Sequence, residues 1–317
     1  MEANCTDIIE KDILDLGKSV LVNLLKDRTT RKNIIWATND YLALGEAYNA
    51  KYSITIEQIT GAHKDVIQPR VAKARAHQTN RTKDKAEVFT PSWICNEQNN
   101  LIDEQWFGRK DVFNTTFNTS WTSTTEKIIF PANSKKTWKK YVDANRLEIS
   151  CGEAPYLVSR YDTVTGYIIP IQDRIGLLDR KLRIVNENTN TEEEWIKWAT
   201  RAVQSVYGFE YQGDNLFLAR ENILYTFIEY MEYALQRQPL LKELKTISLI
   251  ISWNIWQMDG ISFTVPFGVI EERYKQLTIF DIPDSPDMEQ PEKQVCKIKD
   301  WRSNLSLTYQ SLVKGES

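Results

Sequence analysis

Two histidines and four cysteines in 317 residues leave little from which to build a metal centre. Cys5, Cys95, Cys151 and Cys296 are scattered without the short pair spacing of a zinc site, and His63 and His77 do not complete one. That usage predicts no metal and a reducing compartment, the cytoplasm. No apolar run approaches the roughly 20 residues a membrane helix needs, so no membrane association is expected. The longest candidate, Ile247 to Ile251, has strand length. The opening stretch MEANCTDIIEKDILD is acidic and lacks the basic-then-apolar order of a signal peptide. No GxxxxGK[ST] phosphate loop occurs, which argues against an ATP-driven motor. Internal repeats and low-complexity tracts are also missing. A net charge of −3 provides no global basic field for nucleic acid. Any contact with DNA must therefore be local, and the run Arg70 to Lys85, dense in Lys and Arg, is the candidate for it.

What is present reads as a globular chain long enough for two domains: 42% of residues are hydrophobic and 26% charged. Apolar positions at Ile9, Ile13, Leu16, Val20 and Leu24 predict a helix over 7–26, with more helix around 33–48 and 54–77. Thr55 is either an N-cap there or part of a short strand. This gives a mainly helical N-terminal region, 1–80. A core domain over 81–280 and a flexible, acidic, proline-containing loop with a tail over 281–317 complete the expected organisation. Thr90-Pro91 opens a helix through Leu101, with Thr90 as N-cap. The Trp-, Thr- and Asn-rich stretch 106–145 predicts irregular structure with short strands. TNTEEEWIKWATRAVQSV predicts a helix over 192–205, with Trp195 and Trp198 in the core.

The chain is organised around 146–160, RLEISCGEAPYLVSR. A short apolar strand containing Glu148 runs into Cys151-Gly152 and then a helical start. Glycine lets a backbone approach a ligand closely, and a helix N-terminus offers free N–H groups. The same rhythm of strand, acid and helix returns at VYGFEYQGDNLFLARENIL, where Val206 to Phe209 ends at Glu210. It returns again at ISLIISWNIWQMDGI, read as a third strand carrying Asp259-Gly260 at its end. Each acid has a plainer reading: an ordinary turn after the first strand, a surface acid at Glu210, a turn former before glycine at Asp259. Three parallel strands ending near Ser150, Phe209 and Met258 would place all of them at one ligand-side edge. Glu243-Leu244-Lys245 has the spelling of a nuclease site but falls in a charged helical stretch.

Taken in order, AEVFTP, LEISCGEAPYL, VYGFEYQGDNLFLARENIL and NIWQMDGI resemble the adenine-amino DNA methyltransferases of bacterial restriction–modification systems, and the proteins labelled as their M subunits. The resemblance spans roughly residues 81–265. It implies a partial Rossmann-like α/β sheet that binds S-adenosylmethionine. Phe89, Thr90 and Pro91 would help hold the cofactor, Glu148, Cys151 and Gly152 would surround its methionine part, Glu210 would take the ribose, and Asp259 would contact the adenine.

Two departures stand against the family pattern. The loop continues Glu153-Ala154-Pro155-Tyr156 where a small residue and a second glycine are usual, and a carboxylate at 153 facing the ligand's own carboxylate would repel it. The Asn-Pro-Pro-Tyr segment that orients a flipped adenine is absent; Val265-Pro266-Phe267 is nearest in order but lacks the amide and the second proline. No catalytic residue is assigned. Two readings follow: a methyltransferase-type subunit that needs a protein partner or a further half, and a non-catalytic relative acting as a binding module. Either leaves a sheet edge open, to be covered by Val295 to Trp301 or by another chain.

Overall fold

The computed structural model describes residues 10–73, 90–131, 135–268 and 294–315. Its centre is a small sheet of three parallel strands, β3 (Arg146–Glu148), β4 (Val206–Glu210) and β5 (Ile255–Gln257), in the order β3-β4-β5. The register pairs Glu148 with Gly208 and Glu210 with Gln257, so the three expected strands are adjacent and end together. Helices α6 (Leu177–Asn188) and α7 (Glu192–Gln204) link β3 to β4, and α8 (Gly213–Leu235) and α9 (Leu241–Asn254) link β4 to β5. Thr191 caps α7 by accepting from the N–H of Glu194, as its acid-rich first turn requires.

Alternation along the strands sorts two cores. Val206 and Ile255 join the main core, which includes Leu216, Phe217, Phe227, Ile247 and Ile251 of α8 and α9. Tyr207, Phe209 and Trp256 meet Val265, Cys296, Ile298 and Tyr309 on the other face. The latter come partly from the hairpin β6 (Lys297–Asp300) and β7 (Leu305–Thr308), followed by the short α10 (Tyr309–Lys314). Val295 to Trp301 therefore contributes to covering a face of the sheet and not its open edge. Among the described residues no strand lies beyond β3, and Leu147 and Ile149 are exposed there.

Two expectations need correction. The third strand is only three residues long; Ile247 to Asn254, read as strand, belongs to α9. This helix packs against both the sheet and α2 (Lys18–Leu25); within 247–254 the exposed position is the apolar Leu249 while Ser248 and Ser252 are buried, which blurs the helical period in the sequence. Asn254 ends it by donating through Nδ2 to the carbonyls of Val203 and Val206, which ties the end of α7 to the start of β4.

The N-terminal region is also less helical than its periodicity predicts. The helix over 7–26 is split into α1 (Glu10–Leu16) and α2 at Gly17, whose φ of +129° is open to glycine alone. Residues 34–36 are extended and Ala37 turns left-handed at φ 51°: Trp36 and Ala37 donate to the carbonyls of Tyr52 and Ala50, and Ile54 donates to Ile34. The only α-helix described between 33 and 73 is α3 (Ile56–Ile59), where the Gln58 side chain reaches back to accept from the Thr55 N–H. Tertiary pairing has overridden local propensity here. The side chain of Gln257 holds Ile35 at both ends, with N–H to Oε1 at 2.9 Å and Nε2 to carbonyl at 2.8 Å. Gly213 donates to Trp36, and a Cβ at Gly213 would lie 2.0 Å from the carbonyl oxygen of Ile35. Residues from Ile13 to Ile59 thus share one core with the sheet.

The helix expected after Pro91 is α4 (Ser92–Phe107), with Pro91 itself at the cap position. Asp162 from a distant loop accepts from the Ser92 N–H in place of a local N-cap. The 106–145 stretch holds the hairpin β1 (Asn114–Phe117) and β2 (Ser120–Ser123), then irregular chain and the short α5 (Trp138–Asp143). Trp195 is buried, and Trp198 stacks edge-on with Trp138.

Candidate functional site

The loop that follows β3 turns back over the sheet through left-handed backbone at Ser150 (φ 48°), Gly152 (51°) and Ala154 (64°). Two strand-tip acids hold it there. Glu148 accepts from the N–H groups of Tyr156 and Leu157, at 3.3 and 3.1 Å. Glu210 reaches across from β4 and accepts from Gly152 at 2.9 Å, and from Tyr211 and Gln212 at 3.0 and 3.1 Å. Cys151 donates its N–H to Phe209 and packs its sulfur over Gly208, where an added Cβ would stand 3.2 Å away.

Between this loop and the strand ends lies a cleft of about 450 Å³. Thr90, Glu148, Cys151, Gly152 and Glu210, all singled out from the sequence, line it. Phe89 lies outside the described residues, and Pro91 caps α4 without lining the cleft. Asp259 is not in the lining, although its neighbour Gly260 is. The Asp259 carboxylate accepts from the N–H groups of Ile261 and Ser262, the arrangement of a turn former. Glu153 points inward, accepting from the Tyr161 hydroxyl and the Arg70 N–H, each at 2.7 Å, so its charge does not face the cleft.

Ser150, Phe209 and Met258, expected as strand ends, also line it, whereas other lining residues were not foreseen. Tyr156 and Tyr211 each follow a foreseen residue within a few positions, and extending the loop motif would have found them. Ala37 follows the extended N-terminal segment with left-handed backbone, and nothing local marks it. Asn215 and Asp214 open α8. Asp214 is buried against the Tyr41 hydroxyl at 2.7 Å and the Lys73 ammonium at 3.2 Å. Lys73 belongs to the basic run, so one of its charges is held within the fold; residues 74–85 of that run lie outside the described residues.

Burial dominates the electrostatics. It pushes the Glu148 carboxyl up to about 8, against the pull of its two N–H donors, and the charge of Glu210 adds to the shift. Glu210 is raised for the same reason and opposed by its three N–H donors. The Cys151 thiol is raised well above its ordinary value, which keeps it protonated and makes it a packing group, not a nucleophile. Among the described residues no cluster of His, Cys, Asp and Glu is arranged to hold a metal ion.

The cleft is therefore a pocket at the carboxyl ends of parallel strands, rimmed by glycine, aromatic rings and two carboxyl groups. Such crevices are where open parallel sheets bind ligands. Compared with known proteins, the chain matches no family model, no curated protein and no solved structure.

Proposed function

We propose that the chain is an S-adenosylmethionine-binding subunit of the adenine-specific DNA methyltransferase type, of a restriction–modification system, whose target-base half comes from a partner or from a further C-terminal half. The observation that carries this reading is the convergence on one cleft of Thr90, Glu148, Cys151, Gly152 and Glu210, drawn from three separate stretches of sequence. The volume of about 450 Å³ falls in the usual range for small-ligand sites. Tyr156 and Tyr211 offer flat surface to an adenine ring, and a sulfonium or ammonium bound beside the two buried carboxyl groups would draw them back toward their charged form. Bound there, the cofactor would supply an electrophilic methyl group.

Glu210 fits a ribose only in part. A carboxylate has about four lone-pair sites, and three backbone N–H groups already use Glu210. One hydroxyl can still be accepted. This favours, as a second reading, a related protein that keeps the cleft as a structural or binding module.

Calorimetry with S-adenosylmethionine separates the two. The first reading expects saturable binding, and a Glu210→Ala variant weaker by about ten- to a hundred-fold. No heat of binding at millimolar cofactor would overturn it. With labelled cofactor and mixed-sequence DNA, the chain alone is expected to transfer no methyl group, since its sequence lacks the Asn-Pro-Pro-Tyr segment. Transfer at ordinary enzyme rates would show that other residues take that role.

A further inference from the structure

A second pocket adjoins the cleft and has no part in the reading above. It measures about 370 Å³ and is lined by Lys32, Lys51 and Tyr52 of the N-terminal segment and by Pro266 and Phe267 after β5. Two features set it apart. Tyr52 and Phe267 are half exposed, at 48% and 50%, so both rings present accessible surface at the pocket wall. Phe267 is also held at φ +61°, a left-handed conformation that a bulky side chain rarely adopts.

The charges are equally uneven. The charged lining residues are Lys32, Lys51 and Asp27. Asp27 is buried, and its carboxylate already accepts from the N–H groups of Thr29 and Thr30 and from the Thr30 hydroxyl. Among the described residues neither ammonium is paired with a carboxylate. Lys51 instead stands 5.8 Å from the centroid of the Phe267 ring. Phe267 also meets Tyr211 of the cleft edge-on, at 6.2 Å.

We propose that this pocket binds a nucleotide, with the base against the Tyr52 and Phe267 rings and the phosphate at Lys51 and Lys32. Exposed aromatic faces beside uncompensated ammonium groups are what a flat heterocycle carrying an anion requires. Base–aromatic stacking does not depend on which base is present, and lysine serves phosphate as a point charge. The nucleotide is either free or one unit of a single strand. The site needs no S-adenosylmethionine, and it stands or falls independently of the cofactor assigned to the cleft.

The test uses the full chain and a fluorescein-labelled twelve-residue oligothymidylate, followed by fluorescence anisotropy at low salt. Saturable binding is expected, weakened about 5- to 150-fold by Tyr52→Ala. Lys51→Ala and Lys32→Ala should each flatten the slope of log affinity against log salt by about 0.7. Displacement of the probe by millimolar thymidine monophosphate identifies a free-nucleotide site. Failure to displace it, with affinity rising with oligonucleotide length, identifies a strand site. Absence of binding to both probes at low salt overturns the proposal. So does equal affinity in wild type, Tyr52→Ala and Phe267→Ala. Both rings are half exposed, so thermal unfolding close to wild type will confirm that the variants are folded. Calorimetry with S-adenosylmethionine on the Tyr52→Ala protein should match wild type, which keeps failure of the cleft reading distinct from failure here.

Discussion

Glu210 is the residue on which the cleft turns. It was expected as a ligand contact, and it sits where that expectation put it, but its carboxylate braces the loop from below. Truncation to alanine would strip three N–H groups of their acceptor in a mostly buried place. A loss of roughly 2 kcal/mol of stability is expected, measured as a lowered urea midpoint, because buried donors left unmade cost about 1–3 kcal/mol each and some will find water. A loss below about 0.5 kcal/mol would mean that the loop holds itself. Glu148 adds a dependence on pH. Its folded pKa of about 8 lies above the ordinary 4.5, so the folded state binds the proton more tightly than the unfolded state does. Its contribution is then complete below about 4.5 and declines as pH rises towards 8. A Glu148→Gln variant cannot ionise, so its stability relative to wild type should improve steadily across that window, read from urea melts at pH 5, 6, 7 and 8. A constant difference would place the Glu148 pKa near its ordinary value.

At the scale of elements, the sheet rests on a contact no window of sequence contains. Gly213 opens α8 with the carbonyl oxygen of Ile35 pressed where a side chain would begin. Gly213→Ala should cost about 2 kcal/mol or more, as overpacking of a closed site does, and should loosen the cleft wall that Ala37 forms. An unchanged urea midpoint would show that the 34–37 segment moves aside freely. What could be read from sequence follows the same line between near and far. The strand ends at Glu148 and Glu210 and the turn at Gly152 were readable because acid, glycine and helix start lie within a few residues of one another. Helix α9 was misread at Ile247 to Asn254 because its exposed position there is the apolar Leu249 while Ser248 and Ser252 are buried, so the residue types do not display the helical period. The extended segment at 34–36 was misread as helix because its partners lie outside any local window: Tyr52 and Ile54 on the backbone, and Gln257, which stands 222 residues away. Asp259 carried the right motif, and its plainer reading as a turn former describes the bonds it makes.

Over the whole molecule, one core joins the first helices to the last strand of the parallel sheet, and the second core joins that sheet to the hairpin near the end of the sequence. Arg220 stitches the first of these, donating from α8 to the carbonyls of Leu24 and Lys26 near the end of α2 and to Ile255 at the start of β5. The open edge of β3, with Leu147 and Ile149 exposed, is left on the outside of both.

The clasp between Ile35 and Gln257 also sets a timetable for synthesis. A ribosome adding about 5–20 residues per second needs roughly 10–45 seconds to travel from one partner to the other, because 222 positions separate them. For that interval α1 and α2 have been made while most of α9, against which α2 packs, has not. Their apolar faces, Val20, Leu21, Leu24 and Leu25, wait without their final cover. A fragment ending at residue 240 should therefore be cut rapidly by protease within its first 60 residues, whereas the full chain resists there. Equal resistance of the two would mean that the N-terminal segment folds without its distant partner. If the fragment is cut as expected, the newborn protein depends on whatever shields those leucines until Gln257 emerges.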